Sequence, residues 1–157
     1  MISAQVQKSA NRSVLCWLAT VDADGQPNVS PKEIFSVFDE EHLVIATIAS
    51  PASVRNIEMN GRVCVSFVDI FVQKGFKILG NARNVTREDS EYGRWVAPLE
   101  KKAGPRFPIR SVLVVQAVAV EPIIAPSYRL YPHETTEQSQ VQSALRTYGV
   151  QPAAADA

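Results

Sequence analysis

The chain has 157 residues with 16 basic and 16 acidic side chains, so its formal net charge is +0. That balance excludes a bulk attraction to nucleic acid or to an anionic membrane, and any anion site must be local. Hydrophobic residues make up 46%, enough to fill one sizeable core, and no apolar run reaches the length of a membrane span.

Residues Ile2–Ser13 suit a short leading helix, polar enough that no signal peptide is expected. Val14–Val21 is an apolar run rich in strand formers. Asp22-Ala-Asp-Gly25 follows as a turn in which Gly25 is free to take positive φ. Gln26–Phe38 reads as the second strand of a hairpin, with Pro31 marking an edge, a bulge or a break. Asp39–His42 is the next turn and Leu43–Ile48 a third strand.

The period then changes. Ser50-Pro51 is a good helix start, and a helix is expected over 50–60. Arg62–Ile70 and Gly75–Val85 return to alternation. Tyr92, Trp95, Val96 and Leu99 fall on one helical stripe, which predicts a helix over Arg87–Lys102. Ile109–Ile124 is a long apolar strand ended by Pro122 and Pro126, and Glu134–Tyr148 is a last amphipathic helix. The expectation is a mainly β fold: about six antiparallel strands in a small barrel with peripheral helices, one domain over 1–150, and a disordered tail over 151–157.

Few residues could carry chemistry. Cys16 and Cys64 lie in strand-like runs without metal-site spacing and read as buried thiols. With only His42 and His133 available, no metal site is expected. No nucleophile–base pair or paired-carboxylate pattern stands out, so catalytic residues stay unassigned and a cofactor would have to supply the chemistry. The informative stretch is Ala46–Ser53. A helix N-terminus exposes free N–H groups and partial positive charge, a natural seat for a phosphate. Thr47, Ser50 and Ser53 add hydroxyls there, and Arg55 adds charge if its side chain reaches back. The same serines would also serve simply to cap the helix. Ser30-Pro-Lys32 and Gln73-Lys-Gly-Phe76 are two further candidates, equally readable as a bent strand and a hairpin turn.

In order and spacing these segments resemble the FMN-binding split-barrel proteins related to pyridoxamine 5′-phosphate oxidase. The likeness runs from Val14 to Val85. It is carried by Leu15-Cys-Trp-Leu-Ala-Thr-Val-Asp-Ala-Asp-Gly-Gln-Pro-Asn28, Ser30-Pro-Lys32, Leu43-Val-Ile-Ala-Thr47, Arg55-Asn-Ile57, Asn60-Gly-Arg-Val63 and Gly75-Phe-Lys-Ile-Leu-Gly-Asn-Ala82.

The resemblance implies a homodimer with FMN in clefts between subunits. Ser30 and Lys32 would lie along the ring or ribityl chain, Thr47 and Ile48 would contact the flavin, and Ser50 and Ser53 would hold the phosphate. Gln73, Lys74 and Gly75 would approach the ring, some of them from the partner. Two features depart from the oxidase. Its Arg-Lys pair at the helix start aligns with Ala52-Ser53, and its C-terminal substrate motif has no counterpart in Arg129-Leu-Tyr-Pro-His133. The expectation is therefore a cytoplasmic FMN-dependent oxidoreductase acting with a small-molecule electron donor or acceptor, without the oxidase's own reaction. The alternatives are an FMN carrier or sensor, or the same barrel holding haem or a deazaflavin. Trp17, Phe35 and Trp95 are candidates for lining a pocket, or for the core.

Overall fold

The computed structural model describes residues 1–152, and in it strand formers and turn residues place seven strands and five helices. In chain order these are α1 (Ala4–Arg12), β1 (Cys16–Val21), β2 (Pro27–Lys32), β3 (Phe35–Val37), β4 (His42–Thr47), α2 (Pro51–Met59), β5 (Arg62–Asp69), β6 (Lys74–Thr86), α3 (Tyr92–Ala103), β7 (Ser111–Ile124), α4 (Ser127–Leu130) and α5 (Glu137–Tyr148). The first hairpin turns as its composition dictates. Gly25 has φ 83°, and the Asp22 carboxylate accepts from the N–H groups of Asp24 at 3.0 Å and Gln26 at 2.8 Å.

All neighbouring strands are antiparallel, in the order β2-β1-β5-β6-β7-β4-β3. The two edges, β2 and β3, are consecutive in the chain, joined only by Glu33 and Ile34. That short link makes the sheet curl round on itself into a half-barrel. Alternation then sorts the side chains. Leu18, Leu43, Ile45, Phe67, Ile78 and Leu113 fill the interior, and Ile2, Val6 and Ala10 close it from α1. Each of these large side chains gains roughly 1.5–3 kcal/mol by leaving water. The opposite face of β4 and β7 presents Val44, Val112 and Val114 to Trp95, Val96 and Leu99 of α3.

Among the described residues, no helix lies across the outer face of β2, β1, β5 and the first half of β6. Val29 (59% exposed), Trp17 (46%) and Leu79 (37%) stand open there. Trp17 is thus outside the core, whereas Phe35 and Trp95 belong to it.

The structure redraws several boundaries. The single strand expected over Gln26–Phe38 is two. The break falls at Glu33–Ile34 rather than Pro31, because Pro31 sits on an edge strand, paired with Trp17, where its missing N–H costs no ladder bond. The helix expected from Arg87 starts at Tyr92. Ahead of it the Asp89 carboxylate takes the Thr86 N–H at 2.7 Å and hydroxyl at 3.0 Å, which holds a turn instead. The last helix begins at Glu137 behind a Thr136/Ser139 capping box, and α4 has no counterpart in the sequence reading. Of the tail expected to be disordered, residues 153–157 lie outside the described ones. Both cysteines are free, Cys16 buried and Cys64 only half-buried on the outer sheet face.

Candidate functional site

The helix α2 starts where the chain leaves β4, and it packs across the end of the barrel with Ser53, Asn56 and Ile57 inward. A serine and then proline at the first helical position set this start. Yet the Ser50 side chain makes no capping bond. Instead its hydroxyl accepts from the Lys32 ammonium, which comes from the end of β2. One turn on, the Ser53 hydroxyl lies 3.0 Å from that of Ser30. Simple capping therefore does not describe either serine. Both are spent on joining the helix start to β2.

Lys32 is 6% exposed and Ser53 1%. Burial pushes the Lys32 ammonium below its ordinary range, with the neighbouring Cys16 a smaller, opposing influence. The Cys16 thiol is itself pushed up to about 12 by burial, so it stays protonated and unreactive at neutral pH. Thr47 ends β4 at the same junction. It is 5% exposed, and its Oγ1 is buried with no hydrogen-bond partner among the described residues. A buried hydroxyl left unpaired is costly unless a further group satisfies it.

A shallow recess of about 150 Å³ opens here, lined by Lys32, Ile34, Ala46, Ile48, Ser50 and Phe107, among others. The fold thus brings together Ser30, Lys32, Thr47, Ile48, Ser50 and Ser53. Arg55 is not among them. It lies on the exposed face of α2, two residues past Ser53 and so on the other side of the helix.

Gln73, Lys74 and Gly75 are brought together elsewhere. The ladder runs Lys32–Cys16–Phe67–Phe76 across four strands. That puts Phe76 three strand spacings, about 14 Å along the sheet, from Lys32, and the β5–β6 turn lies further on, past the Asp69–Lys74 pair. Gln73 sits at the tip of this turn with φ 55°, and its carbonyl accepts from the Ala125 N–H at 3.1 Å. The Lys74 ammonium pairs with Glu137 of α5 at 2.9 Å and lies 4.3 Å from the Tyr128 ring centre. Lys74 and Gly75 line a cleft of about 390 Å³ together with Lys8 and Arg12 of α1. The close approach at Gly75 is made by its own neighbour strand. A Cβ there would sit 2.0 Å from the Phe67 carbonyl oxygen.

Two parts of the junction were not read from sequence. Asn56 donates to the Thr20 hydroxyl at 3.0 Å, and Asn28 donates to the same oxygen at 3.2 Å. This ties α2 to both strands of the first hairpin. The signal was present, since Asn56 follows Ser53 by three on one helical face. Phe107 lies in a loop far along the chain, and nothing local announces that it lines the recess. Neither histidine reaches it: the His42 ring packs at a tilt against Trp95, 5.2 Å between ring centres, and bonds to Asp39, and His133 is exposed in the segment between α4 and α5.

Comparison with known proteins agrees with this architecture. A family model described as pyridoxamine 5′-phosphate oxidase matches residues 2–123. The pyridoxine/pyridoxamine 5′-phosphate oxidase of Dichelobacter nodosus (strain VCS1703A) is 34% identical over 95 residues, a match covering 54% of this chain and 44% of that protein. The chain thus spans less than half the length of this relative. Among solved structures, HupZ of Group A Streptococcus is 27% identical with a TM-score of 0.69, covering 80% of this chain and 96% of that one. An FMN-binding protein from Syntrophomonas wolfei subsp. wolfei is 16% identical with a TM-score of 0.63, covering 74% and 82%. The heme storage protein HutZ from Vibrio cholerae, 20% identical with a TM-score of 0.62 over 78% and 94%, and an F420 reductase, 22% identical with a TM-score of 0.58 over 76% and 98%, share the fold.

Proposed function

The chain belongs to the pyridoxamine 5′-phosphate oxidase family, and on that premise we propose that it is a flavoprotein holding FMN with the phosphate at the junction of β4 and α2. The observation that carries the reading is the buried Lys32 ammonium set against Ser50. A desolvated cation beside a helix N-terminus is poised for an anion. Ser30, Ser53 and the unpartnered Thr47 hydroxyl add donors around it. Ile48 and Phe107 offer apolar surface to the rest of the ligand. These residues suit FMN, whose bound ring would accept and release hydride or single electrons.

The protein's own part is to bind, orient and desolvate. Among the described residues that line the recess, Glu33 is the one titratable side chain besides Lys32, so acid–base work is not its task. An oxidoreductase on a small molecule is the function this supports. The same lack of acid–base groups favours, as a second reading, an FMN carrier or sensor. Pyridoxamine 5′-phosphate oxidation itself is not proposed, since Ala52-Ser53 carries no charge where the oxidase has two.

The uncovered outer sheet face is the surface we assign to a homodimer. Its rows run Val29–Ala19–Cys64–Leu79–Ala119 and Pro31–Trp17–Ser66–Lys77–Glu121. The first is wholly small or apolar, and such a face favours burial. A partner packed there would also place additional groups near the mouth of a recess that a single chain leaves shallow. Two free thiols suit a reducing compartment such as the cytoplasm.

Purified protein should show flavin absorbance, or acquire it on adding FMN. The extracted ligand should have the mass of FMN, and a nicotinamide donor should bleach it if the protein is an oxidoreductase. A bound haem or deazaflavin, or no uptake of FMN, would overturn the reading. Bound FMN that no donor reduces would favour the carrier.

A further inference from the structure

One wall of the recess, at Phe107, belongs to a loop from far along the chain, and that loop carries two arginines. The pairing of β4 with β7 ends at Thr47↔Ser111, but the chains stay together past it: the Arg110 N–H donates to the Thr47 carbonyl at 2.9 Å. The loop Gly104–Arg110 is therefore held alongside the β4–α2 junction. Phe107, 47% exposed, already lines the recess with Lys32 and Ser50. Three residues on, the Arg110 backbone is one hydrogen bond from Thr47, which itself stands three residues before Ser50. Its side chain is exposed and joins no ion pair among the described residues.

The charge balance calls for it. An FMN phosphate carries close to two negative charges at neutral pH. Lys32 supplies one positive charge, and the first turn of α2, Pro51-Ala52-Ser53, supplies none. Arg55 points away from the junction. We propose that Arg110, carried on the Gly104–Arg110 loop, supplies the second positive charge to the phosphate in place of the pair absent at Ala52-Ser53, with Phe107 closing that wall of the recess. A guanidinium can grip two phosphate oxygens at once, so it confers orientation as well as charge. This rests on the FMN reading.

The test compares FMN with riboflavin, which lacks the phosphate, by fluorescence titration of the full-length apoprotein. Arg110→Ala should weaken FMN at least tenfold and leave riboflavin unchanged. Arg110→Lys should recover part of the loss, because charge returns without the fork. Arg106→Ala, a charge control on the same loop, should bind FMN within about twofold of the wild type. Since Arg110 is exposed and its backbone bond survives substitution, the variants should melt with the wild type. Unchanged FMN affinity in Arg110→Ala, equal losses for FMN and riboflavin, or the same loss in Arg106→Ala would overturn the assignment. Failure of the underlying reading looks different: the wild type itself would bind neither flavin, or bind both equally well, and the assignment would fall with it.

Discussion

Replacing Lys32 by methionine separates a ligand-binding lysine from a merely structural one, because the two roles predict opposite signs. Methionine keeps most of the length and apolar volume of the lysine stem. It removes a charge that is 6% exposed and whose one hydrogen-bond partner among the described residues is Ser50. In the apoprotein a buried ammonium is a burden, so the variant should be no less stable than the wild type, and up to about 1 kcal/mol more stable at pH 7. The pH dependence follows from burial holding the folded ammonium below its ordinary value of 10.5. Between the lowered folded value and 10.5 the unfolded chain holds the proton that the folded one has lost. Wild-type stability therefore rises with pH across that window, and the variant lacks this rise. In the complex the sign reverses. A charge-assisted hydrogen bond to the phosphate contributes about 1.5–3 kcal/mol, so FMN should bind roughly tenfold to 150-fold more weakly. Thermal melts from pH 7 to 11 and flavin fluorescence titrations read the two effects separately. A variant that melts well below the wild type yet binds FMN as tightly would refute the reasoning.

The other predictions address the rest of the frame. Ala52→Arg restores one charge at the first turn of α2, where Ala52 is only half-buried. It should tighten FMN by about two- to fivefold and leave riboflavin alone, as paired titrations would show. Gly75→Ala forces a Cβ to 2.0 Å from the Phe67 carbonyl oxygen and 2.8 Å from the Val68 Cα. Both are backbone atoms of a paired strand, so the expected cost is about 3 kcal/mol or more, a fall in Tm of roughly 6–12 °C. Cys16, buried with its thiol pushed up to about 12, should resist a thiol reagent in the native protein. Cys64, half-buried on the outer sheet face, should react slowly at high protein concentration and faster on dilution to monomer. Mass mapping of the labelled peptides checks both.

The barrel was largely legible in the sequence because its signals are local. Alternation in Arg62–Ile70 and Gly75–Val85, the Asp22–Gly25 turn and the Ser50-Pro51 helix start each depend on a few adjacent residues. The seventh strand was missed because β2 and β3 are one run in sequence, parted only where Glu33 and Ile34 turn the sheet's edge. The helix at Tyr92 was begun too early because Arg87–Glu91 has acceptable helix composition, and the Asp89 bond to Thr86 overrides it.

Of the candidate site, the hydroxyls and Lys32 were legible as types. That Lys32 reaches Ser50, and that Ser30 reaches Ser53, depends on how α2 crosses the barrel end, which no local pattern encodes. The Gln73–Gly75 segment shows the limit most plainly. Its residues suit a ligand, yet within one chain they meet α1 and α5 rather than the recess.

The most direct test of the account is a titration of FMN into the apoprotein followed by flavin fluorescence, with riboflavin run in parallel. The account predicts quenching that saturates at one FMN per chain and a markedly weaker interaction with riboflavin. Equal affinity for the two flavins, or no saturable binding of FMN, would contradict a phosphate site at the junction of β4 and α2.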